Sequence, residues 1–356
     1  MEEKNYELIG TMSGTSCDGL DIAYCRFWKK KKKWFFKVKN TSFEHFDNRL
    51  KKKLLKCYDL SSYKLKKLDI ELGDFISKKI CDFISKYSLK PILIASHGHT
   101  VFHNPSDRIT LQIGNALVIN TRTKIKVINN FRELDVLNGG QGAPLVAYGD
   151  LKLFSEYDCC INIGGIVNIS KLNMKKLIAY DICPANIILN KFSRLDGFEY
   201  DKNGKIASKG NIIPHIFDKL NEIEYYRKSE PKSLDINYIE KNFFPLLKNY
   251  PNKDILNTVV NHIAYQINKN IEGKNQNILL SGGGTFNRYL IKKIQLYNTK
   301  NHNFIIPNND IISFKEAIIF GYLGLLKFLN LKNINNSVTG SRNSSSSGTL
   351  IEGKLF

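Results

Sequence analysis

Hydrophobic residues recur along the chain in two alternating patterns, short apolar runs and longer stretches with helical spacing. The apolar runs predict strands, and the repeat of Leu68, Leu72, Ile76 and Ile80 predicts an amphipathic helix over residues 65–87. Because strands alternate with helices, the fold class predicted is α/β. The predicted strands span residues 6–9, 20–24, 33–39, 92–96, 125–129, 159–163, 167–172, 278–281 and 349–351, and the other predicted helices span residues 187–195, 255–271 and 317–329.

Each half of the chain opens with a strand, a glycine-rich turn and a second strand. In the first half the turn lies in "MSGTSCDGLD", which begins at Met12, and in the second half it lies in "INIGGIVNIS". A chain of 356 residues favours two domains, and this coarse symmetry suggests that they are alike. We expect the serine-rich stretch 337–348 to be a flexible loop.

Composition narrows the class of protein. The net charge of +20 raises the question of nucleic-acid binding, but the lysines cluster in short runs such as 29–33, which favours a solvated hairpin tip. We therefore expect no nucleic-acid partner. No apolar stretch reaches the length of a membrane span and no secretory signal is evident, so we expect no membrane partner. Seven cysteines without a CxxC pair indicate free thiols and a cytoplasmic protein.

Three glycine clusters at strand ends indicate a nucleotide site. The third, "SGGG", begins at Ser281. Glycine lets the backbone approach phosphate oxygens closely, so that its N–H groups face the anion. The clusters match neither a Walker loop nor a dinucleotide fingerprint. Asp18, in the first cluster, is a carboxylate suited to a hydrated magnesium ion.

The ordered series "GTMSGTSCDGLD", "SHGHTVFH", "TLQIG", "GGQGAPLV", "NIGGIVNIS", "EPKS", "SGGG" and "SVTGSRNSSSSG" resembles the anhydro-N-acetylmuramic acid kinases over nearly the whole chain. The resemblance implies two ribonuclease-H-like domains with an ATP and sugar cleft between them, a Mg²⁺ cofactor and a homodimer. We predict an N-terminal domain over residues 1–128, to which residues 337–356 return, and a second domain over residues 129–336.

The resemblance also implies the reaction and its residues. Water opens the 1,6-anhydro bridge of the sugar and ATP phosphorylates O6, which gives N-acetylmuramic acid 6-phosphate for cell-wall recycling. The base is Asp181 in "YDICPANIIL", where Ile182, Cys183 and Ala185 replace a threonine and two glycines of the family pattern. The residues predicted to bind the nucleotide are Gly14, Thr15, Ser16, Cys17, Asp18, Gly19, Leu20, Asp21, Gly164, Gly165, Gly282 and Gly283.

Five residues are predicted to bind the sugar: His97, His99, Arg132, Asp135 and Glu316. The fork of Arg132 matches the lactyl carboxylate, and His99 stands where the family has glutamine. Glu316 could hold a sugar hydroxyl, orient the water or complement a helix dipole. The residues that would bind the metal are not assigned.

Two other functions remain open. The chain could act on a different 1,6-anhydro sugar, for instance one without the lactyl group. The three changes beside Asp181 would also fit a sugar-binding remnant that no longer turns over.

Overall fold

The structure is a computed structural model that describes residues 4–14, 17–173, 176–230 and 232–353. Most elements follow the predicted pattern. The strands are β1 (Asn5–Met12), β2 (Gly19–Lys30), β3 (Lys33–His45), β4 (Ile94–Ser96), β5 (His99–Asn104), β6 (Ile109–Ile113), β7 (Val127–Asn129), β8 (Cys159–Ile163), β9 (Ile166–Asn173), β10 (Lys176–Pro184), β11 (Asn277–Ser281), β12 (Asn303–Ile305) and β13 (Thr349–Ile351).

The helices lie between these strands. They are α1 (Asn48–Leu55), α2 (Ser62–Tyr87), α3 (Ala116–Thr123), α4 (Glu133–Leu137), α5 (Val146–Leu153), α6 (Asn186–Leu195), α7 (Pro214–Glu222), α8 (Ile236–Asn242), α9 (Asn252–Asn270), α10 (Arg288–Leu296), α11 (Asn309–Phe328) and α12 (Asn336–Thr339). Within the described ranges, none of these helices is long and apolar enough to cross a membrane.

The chain forms two compact units. Unit 1 contains Met1–Leu153 and Phe314–Phe356, and unit 2 contains Phe154–Ser313. This division differs from the predicted boundaries at residues 128 and 337. The reason is packing within unit 1: the ring of Phe131 lies against Phe320, with centroids 5.4 Å apart, and Gly149 lies against Ile319.

The sheet of unit 1 has the order β13-β7-β4-β1-β2-β3. β1, β2 and β3 form an antiparallel meander, whereas β4 and β7 run parallel to β1 on its other side. The predicted lysine-rich hairpin tip is confirmed, because Lys31 and Lys32 form the turn between β2 and β3 with φ of 45° and 70°. β5 and β6 pair as a separate hairpin.

The sheet of unit 2 has the order β10-β9-β8-β11-β12. Its first three strands form an antiparallel meander, and β11 and β12 run parallel to β8. An antiparallel meander followed by two parallel strands is the ribonuclease-H-like arrangement, and it occurs in both units. The predicted α/β class with two ribonuclease-H-like domains is therefore confirmed.

Helices cover the strands of each unit. In unit 1, α2 buries the predicted stripe that includes Leu72 and Ile80, both fully buried. α11 crosses the sheet closely: a Cβ on Gly10 of β1 would lie 1.9 Å from the carbonyl oxygen of Ala317. All seven cysteines are free thiols, as predicted.

Two predicted elements differ from the structure. α11 begins eight residues before the predicted start at 317, because Asn308 caps it by accepting a hydrogen bond from the Ile311 N–H. The serine-rich stretch 337–348 is held by hydrogen bonds: the Ser347 hydroxyl donates to the Phe131 carbonyl at 2.7 Å, and Thr339 donates to Asp135. A segment whose polar side chains hydrogen-bond within the fold has the same composition as a solvated loop, so composition does not distinguish the two.

Candidate functional site

The first glycine-rich turn connects β1 to β2 in unit 1. The Cys17 N–H donates to the Gly14 carbonyl at 3.2 Å, and Cys17 adopts the left-handed conformation with φ of 53°. The predicted nucleotide ligands Thr15 and Ser16 lie outside the described residues. Leu20 is fully buried in the core, so its side chain cannot contact a ligand.

His99 lies directly against this turn. Its Nδ1 is 3.4 Å from the Ser13 hydroxyl, and its Nε2 is 3.7 Å from the Cys17 sulfur. Burial lowers the pKa of His99, so the ring is neutral at pH 7. The structure therefore brings the predicted sugar residue His99 into contact with the predicted phosphate turn.

His97 and Arg132 form a second contact in unit 1. Arg132 Nε donates to His97 Nε2 at 3.0 Å, and its Nη1 donates to the Gly142 carbonyl at 2.6 Å. The other ring nitrogen, Nδ1, faces the Gly98 carbonyl at 3.1 Å. Burial and Arg132 hold the pKa of His97 well below its usual value. His97 is therefore the neutral tautomer that carries its proton on Nδ1.

The Glu316 carboxylate lies near Arg132, and the Asp21 carboxylate lies near Glu316. Burial lowers the pKa of Arg132 to about 10, and the nearby Glu316 opposes that change. Burial and the negative charge of Glu316 raise the pKa of Asp21 to about 7. Burial also raises the pKa of Glu316. One guanidinium and two carboxylates thus share a poorly solvated region in which the carboxylates repel each other.

Lys315, which precedes Glu316 in the chain, forms a buried ion pair that the sequence did not predict. Lys315 Nζ lies 3.0 Å from Asp150 Oδ1, and both side chains are 3% exposed. The pair joins α11 to α5, and its charges act on the pKa of Glu316 in opposite directions. The sequence signal was the polar pair Lys315-Glu316 directly before the apolar run that begins at Ala317.

Asp18, in the first glycine-rich turn, and Asp21, on β2, differ in their surroundings. The Asp18 carboxylate is half exposed and pairs with Lys51 at 2.6 Å. The Asp21 carboxylate accepts no hydrogen bond from the described residues and is partly buried. Among the described residues, no group of three or more His, Cys, Asp or Glu side chains is arranged to hold a metal ion.

Asp135 has a different position from the one expected for a sugar ligand. It is fully buried. Its Oδ2 accepts from the Gly142 N–H at 2.8 Å, and its Oδ1 accepts from the Thr339 hydroxyl at 2.8 Å. Oδ2 therefore holds the "GGQGAP" loop, which also carries the carbonyl bound by Arg132, and Oδ1 holds Thr339 at the end of α12.

The second and third glycine clusters meet in unit 2. β8 and β11 are parallel neighbours, so their carboxyl ends lie at one edge of the sheet. A Cβ on Gly282 would lie 2.6 Å from Asn162 Oδ1, whereas a Cβ on Gly283 would have no atom within 4 Å. The carbonyl of Gly165 accepts from the Ala185 N–H at 2.8 Å.

Asp181 lies on β10, where a bulge follows it. Its Oδ2 accepts from the Leu234 N–H at 2.9 Å, and no described residue hydrogen-bonds its Oδ1. Burial raises the pKa of Asp181 to about 6, although the Leu234 hydrogen bond acts to lower it. A carboxylate with one free oxygen and this pKa has the properties of a general base near neutral pH.

The three residues that depart from the family pattern next to Asp181 all point away from solvent. Ile182, Cys183 and Ala185 are each fully buried in the core of unit 2. The added side chains therefore fill the interior of the unit, and they add no exposed bulk beside the carboxylate.

The chain is similar to known proteins over nearly its whole length. The model of the family described as anhydro-N-acetylmuramic acid kinase matches residues 6–353. The anhydro-N-acetylmuramic acid kinase of Francisella tularensis subsp. novicida (strain U112) is 32% identical, and the alignment covers 96% of this chain and 97% of the relative. That of Bacillus cereus (strain Q1) is 31% identical, with 89% and 91% covered.

Solved structures are more distant. Component A of the (R)-2-hydroxyglutaryl-CoA dehydratase of Acidaminococcus fermentans gives a TM-score of 0.44 at 11% identity, with 90% of this chain and 98% of that chain covered. This similarity is too weak to support an assignment.

Proposed function

The chain belongs to the anhydro-N-acetylmuramic acid kinase family, kinases of cell-wall recycling, and we propose that it uses ATP to convert 1,6-anhydro-N-acetylmuramic acid into N-acetylmuramic acid 6-phosphate. In this reaction the oxygen of water bonds to C1, the bond from C1 to O6 breaks, and O6 takes the γ-phosphoryl group. The observation that carries the proposal is Asp181, whose pKa is raised to about 6 and whose Oδ1 accepts no hydrogen bond from the described residues. That oxygen accepts the proton of the attacking water.

The glycine clusters leave space for a nucleotide. Gly283 is exposed and has open space where a side chain would lie, which suits close approach of a flat base or ribose. The turn that includes Gly14 and Cys17 would hold phosphates in unit 1. ATP supplies the phosphoryl group to be transferred. For Mg²⁺, we propose the carboxylate of Asp21 as the protein partner, because Asp18 is already paired with Lys51.

Arg132 favours a substrate that carries a carboxylate. Its pKa of about 10 keeps it charged at neutral pH, and His97 and the Gly142 carbonyl fix its orientation. A guanidinium held in this way suits the lactyl group of the muramyl sugar. The alternative, an anhydro sugar without that group, would leave Arg132 with Glu316 as its anionic neighbour and without a carboxylate from the substrate.

A remnant without turnover finds less support. Its basis was the loss of a threonine and two glycines beside Asp181, and the replacements Cys183 and Ala185 point into the core. The base itself is intact.

Two further parts of the proposal concern the setting of the enzyme. We propose the cytoplasm as its location, since seven free thiols suit a reducing compartment. We also propose a homodimer, which light scattering on the purified protein would test.

The experiment is an ADP-release assay with the purified protein, ATP, Mg²⁺ and the anhydro sugar, and the product is identified by mass. We expect Asp181→Asn to lose at least three orders of magnitude in rate, because an amide cannot accept the proton of water. The matched control is Asp218→Asn, an exposed aspartate of the same unit. If Asp181→Asn kept more than about a tenth of the rate, about 1.4 kcal/mol in barrier, Asp181 would not be the base.

A further inference from the structure

One segment of unit 2 covers the outer side of the strand that carries Asp181. β10 is an edge strand, so its far side has no neighbouring strand in the sheet. Tyr225, Lys232 and Leu234, which we call the brace, bind Asp181 on that side. The "EPKS" motif includes Lys232, and no step of the proposed reaction involves this motif.

The brace engages the polar groups of Asp181 one by one. The Asp181 N–H donates to the Lys232 carbonyl at 3.0 Å, and the Tyr225 hydroxyl donates to the Asp181 carbonyl at 2.5 Å. The Leu234 N–H donates to Oδ2 at 2.9 Å. The backbone N–H, the backbone carbonyl and Oδ2 of Asp181 are thus all hydrogen-bonded. Oδ1 is the carboxylate oxygen that can take a proton.

Contacts within the brace hold its two ends together. Lys232 Nζ lies 4.8 Å from the centre of the Tyr225 ring and donates to the Tyr225 carbonyl at 3.3 Å. Tyr225 is 1% exposed, and its ring also packs against Tyr238. The Lys232 ammonium is therefore engaged by Tyr225, and it does not pair with the Asp181 carboxylate.

We propose that the brace is a positioning device for the base: it fixes the orientation of the Asp181 carboxylate, and the Leu234 N–H stabilises the negative charge at Oδ2. This inference rests on the proposed function for the identity of the base. The titratable groups that face Asp181 are Tyr225 from the brace and Cys183 from its own strand, whereas Lys232 contacts it only through the backbone carbonyl. Its partner on β9 is the uncharged Asn168.

The first test is the pair Tyr225→Phe and Tyr226→Phe. Tyr225→Phe removes the hydroxyl that holds the Asp181 carbonyl and keeps the ring. We expect kcat to fall about tenfold while the KM for ATP stays within about twofold, because the reacting oxygen is misplaced and nucleotide binding is not. Tyr226 is the control, since its hydroxyl bonds to His262 at 2.7 Å and not to Asp181. Equal kcat values for the two variants at equal folded fraction would overturn the proposal.

The second test removes the donor to the carboxylate. Leu234→Pro has no N–H, whereas Leu234→Ala keeps it. The carboxyl titration of Asp181 is followed by ¹³C NMR with labelled aspartate, and Asp181→Asn identifies the signal. We expect the midpoint to rise by about one pH unit in Leu234→Pro and to stay near the wild-type value in Leu234→Ala. The activity lost by Leu234→Pro should return at alkaline pH, which a purely structural defect would not do.

These measurements separate the two proposals. A midpoint shift in a protein that never consumes the anhydro sugar would reject the proposed function and leave the effect of the brace on Asp181 standing. An active wild-type enzyme whose Leu234→Pro variant folds without a midpoint shift would reject the brace. If Leu234→Pro does not fold, the comparison of Tyr225→Phe with Tyr226→Phe decides.

Discussion

Arg132 donates a hydrogen bond through Nε to the Nε2 of His97, 3.0 Å away. The contact requires a neutral imidazole, and the second ring nitrogen is turned to the Gly98 carbonyl. The guanidinium therefore has one edge fixed by the protein while it remains charged. A cation held in this way selects for the position of an anionic group as well as for its charge.

Arg132→Lys tests that selection, because lysine keeps the charge and loses the fork. We expect KM for the muramyl sugar to rise about tenfold or more, and KM for an anhydro sugar without the lactyl group to change by less than about threefold. Initial rates with both sugars give the two values. The control is Arg122→Lys, an exposed arginine paired with Asp74 at 2.6 Å. An equal rise for both sugars would show that Arg132 does not read the lactyl group.

The pH dependence of kcat/KM follows from Asp181. Its pKa is raised to about 6, and a general base acts in the ionised form. Activity should therefore reach a plateau above about pH 7 and fall about tenfold for each unit below about pH 6. Rates between pH 4.5 and 8.5 in buffers of constant ionic strength test this. A limb near pH 4, the value of an ordinary aspartate, would contradict the environment described for this carboxylate.

Asp21→Asn and Asp18→Asn should have different effects on magnesium dependence. Asp21 has a partly buried carboxylate without a hydrogen bond from the described residues, whereas Asp18 is paired with Lys51 at the surface. We expect Asp21→Asn to raise the Mg²⁺ concentration for half-maximal activity about tenfold, and Asp18→Asn to change it by less than about threefold. Calorimetric titration of ATP with and without Mg²⁺ checks both variants. The reverse order would return the metal site to Asp18.

Gly10→Ala tests the close packing of β1 against α11. The added Cβ would lie 1.9 Å from the Ala317 carbonyl oxygen and 2.7 Å from the Gly321 nitrogen, and both are backbone atoms that cannot rotate away. We expect a loss of about 3 kcal/mol in the free energy of unfolding, measured by urea denaturation. Gly283→Ala is the control for stability, since its Cβ would meet no atom within 4 Å. A loss below about 1 kcal/mol for Gly10→Ala would mean that α11 shifts easily.

Much of the fold could be predicted from local patterns. Apolar runs gave the strands, and the helical repeat from Leu68 to Ile80 gave α2, because these signals depend only on nearby residues. Contacts between distant positions could not be predicted in this way. No spacing rule joins Asp150 to Lys315, or Tyr225 to Asp181. Asp135 was expected at the sugar, yet Thr339, more than two hundred residues later, binds its carboxylate.

The same distinction between local signals and distant contacts applies to the candidate site. The glycine clusters could be recognised from the residues themselves, and the resemblance implied Asp181, since both signals are contiguous in the sequence. The groups that set the chemistry of these residues, such as the Leu234 N–H on Asp181, belong to the backbone and leave no trace in side-chain identity. The sequence therefore indicates the proposed base, and the structure shows which groups surround it.

The discontinuity of unit 1 has a consequence for synthesis. β13 pairs with β7 at the edge of its sheet, and α11 covers β1. Both elements lie after residue 308 in the chain. Until those residues are translated, the apolar surface around Gly10 and Ile128 has no cover, whereas unit 2 is continuous in the chain. Unit 1 therefore cannot complete its packing until residues 314–351 are translated, and during this interval a chaperone would be most useful to the nascent protein.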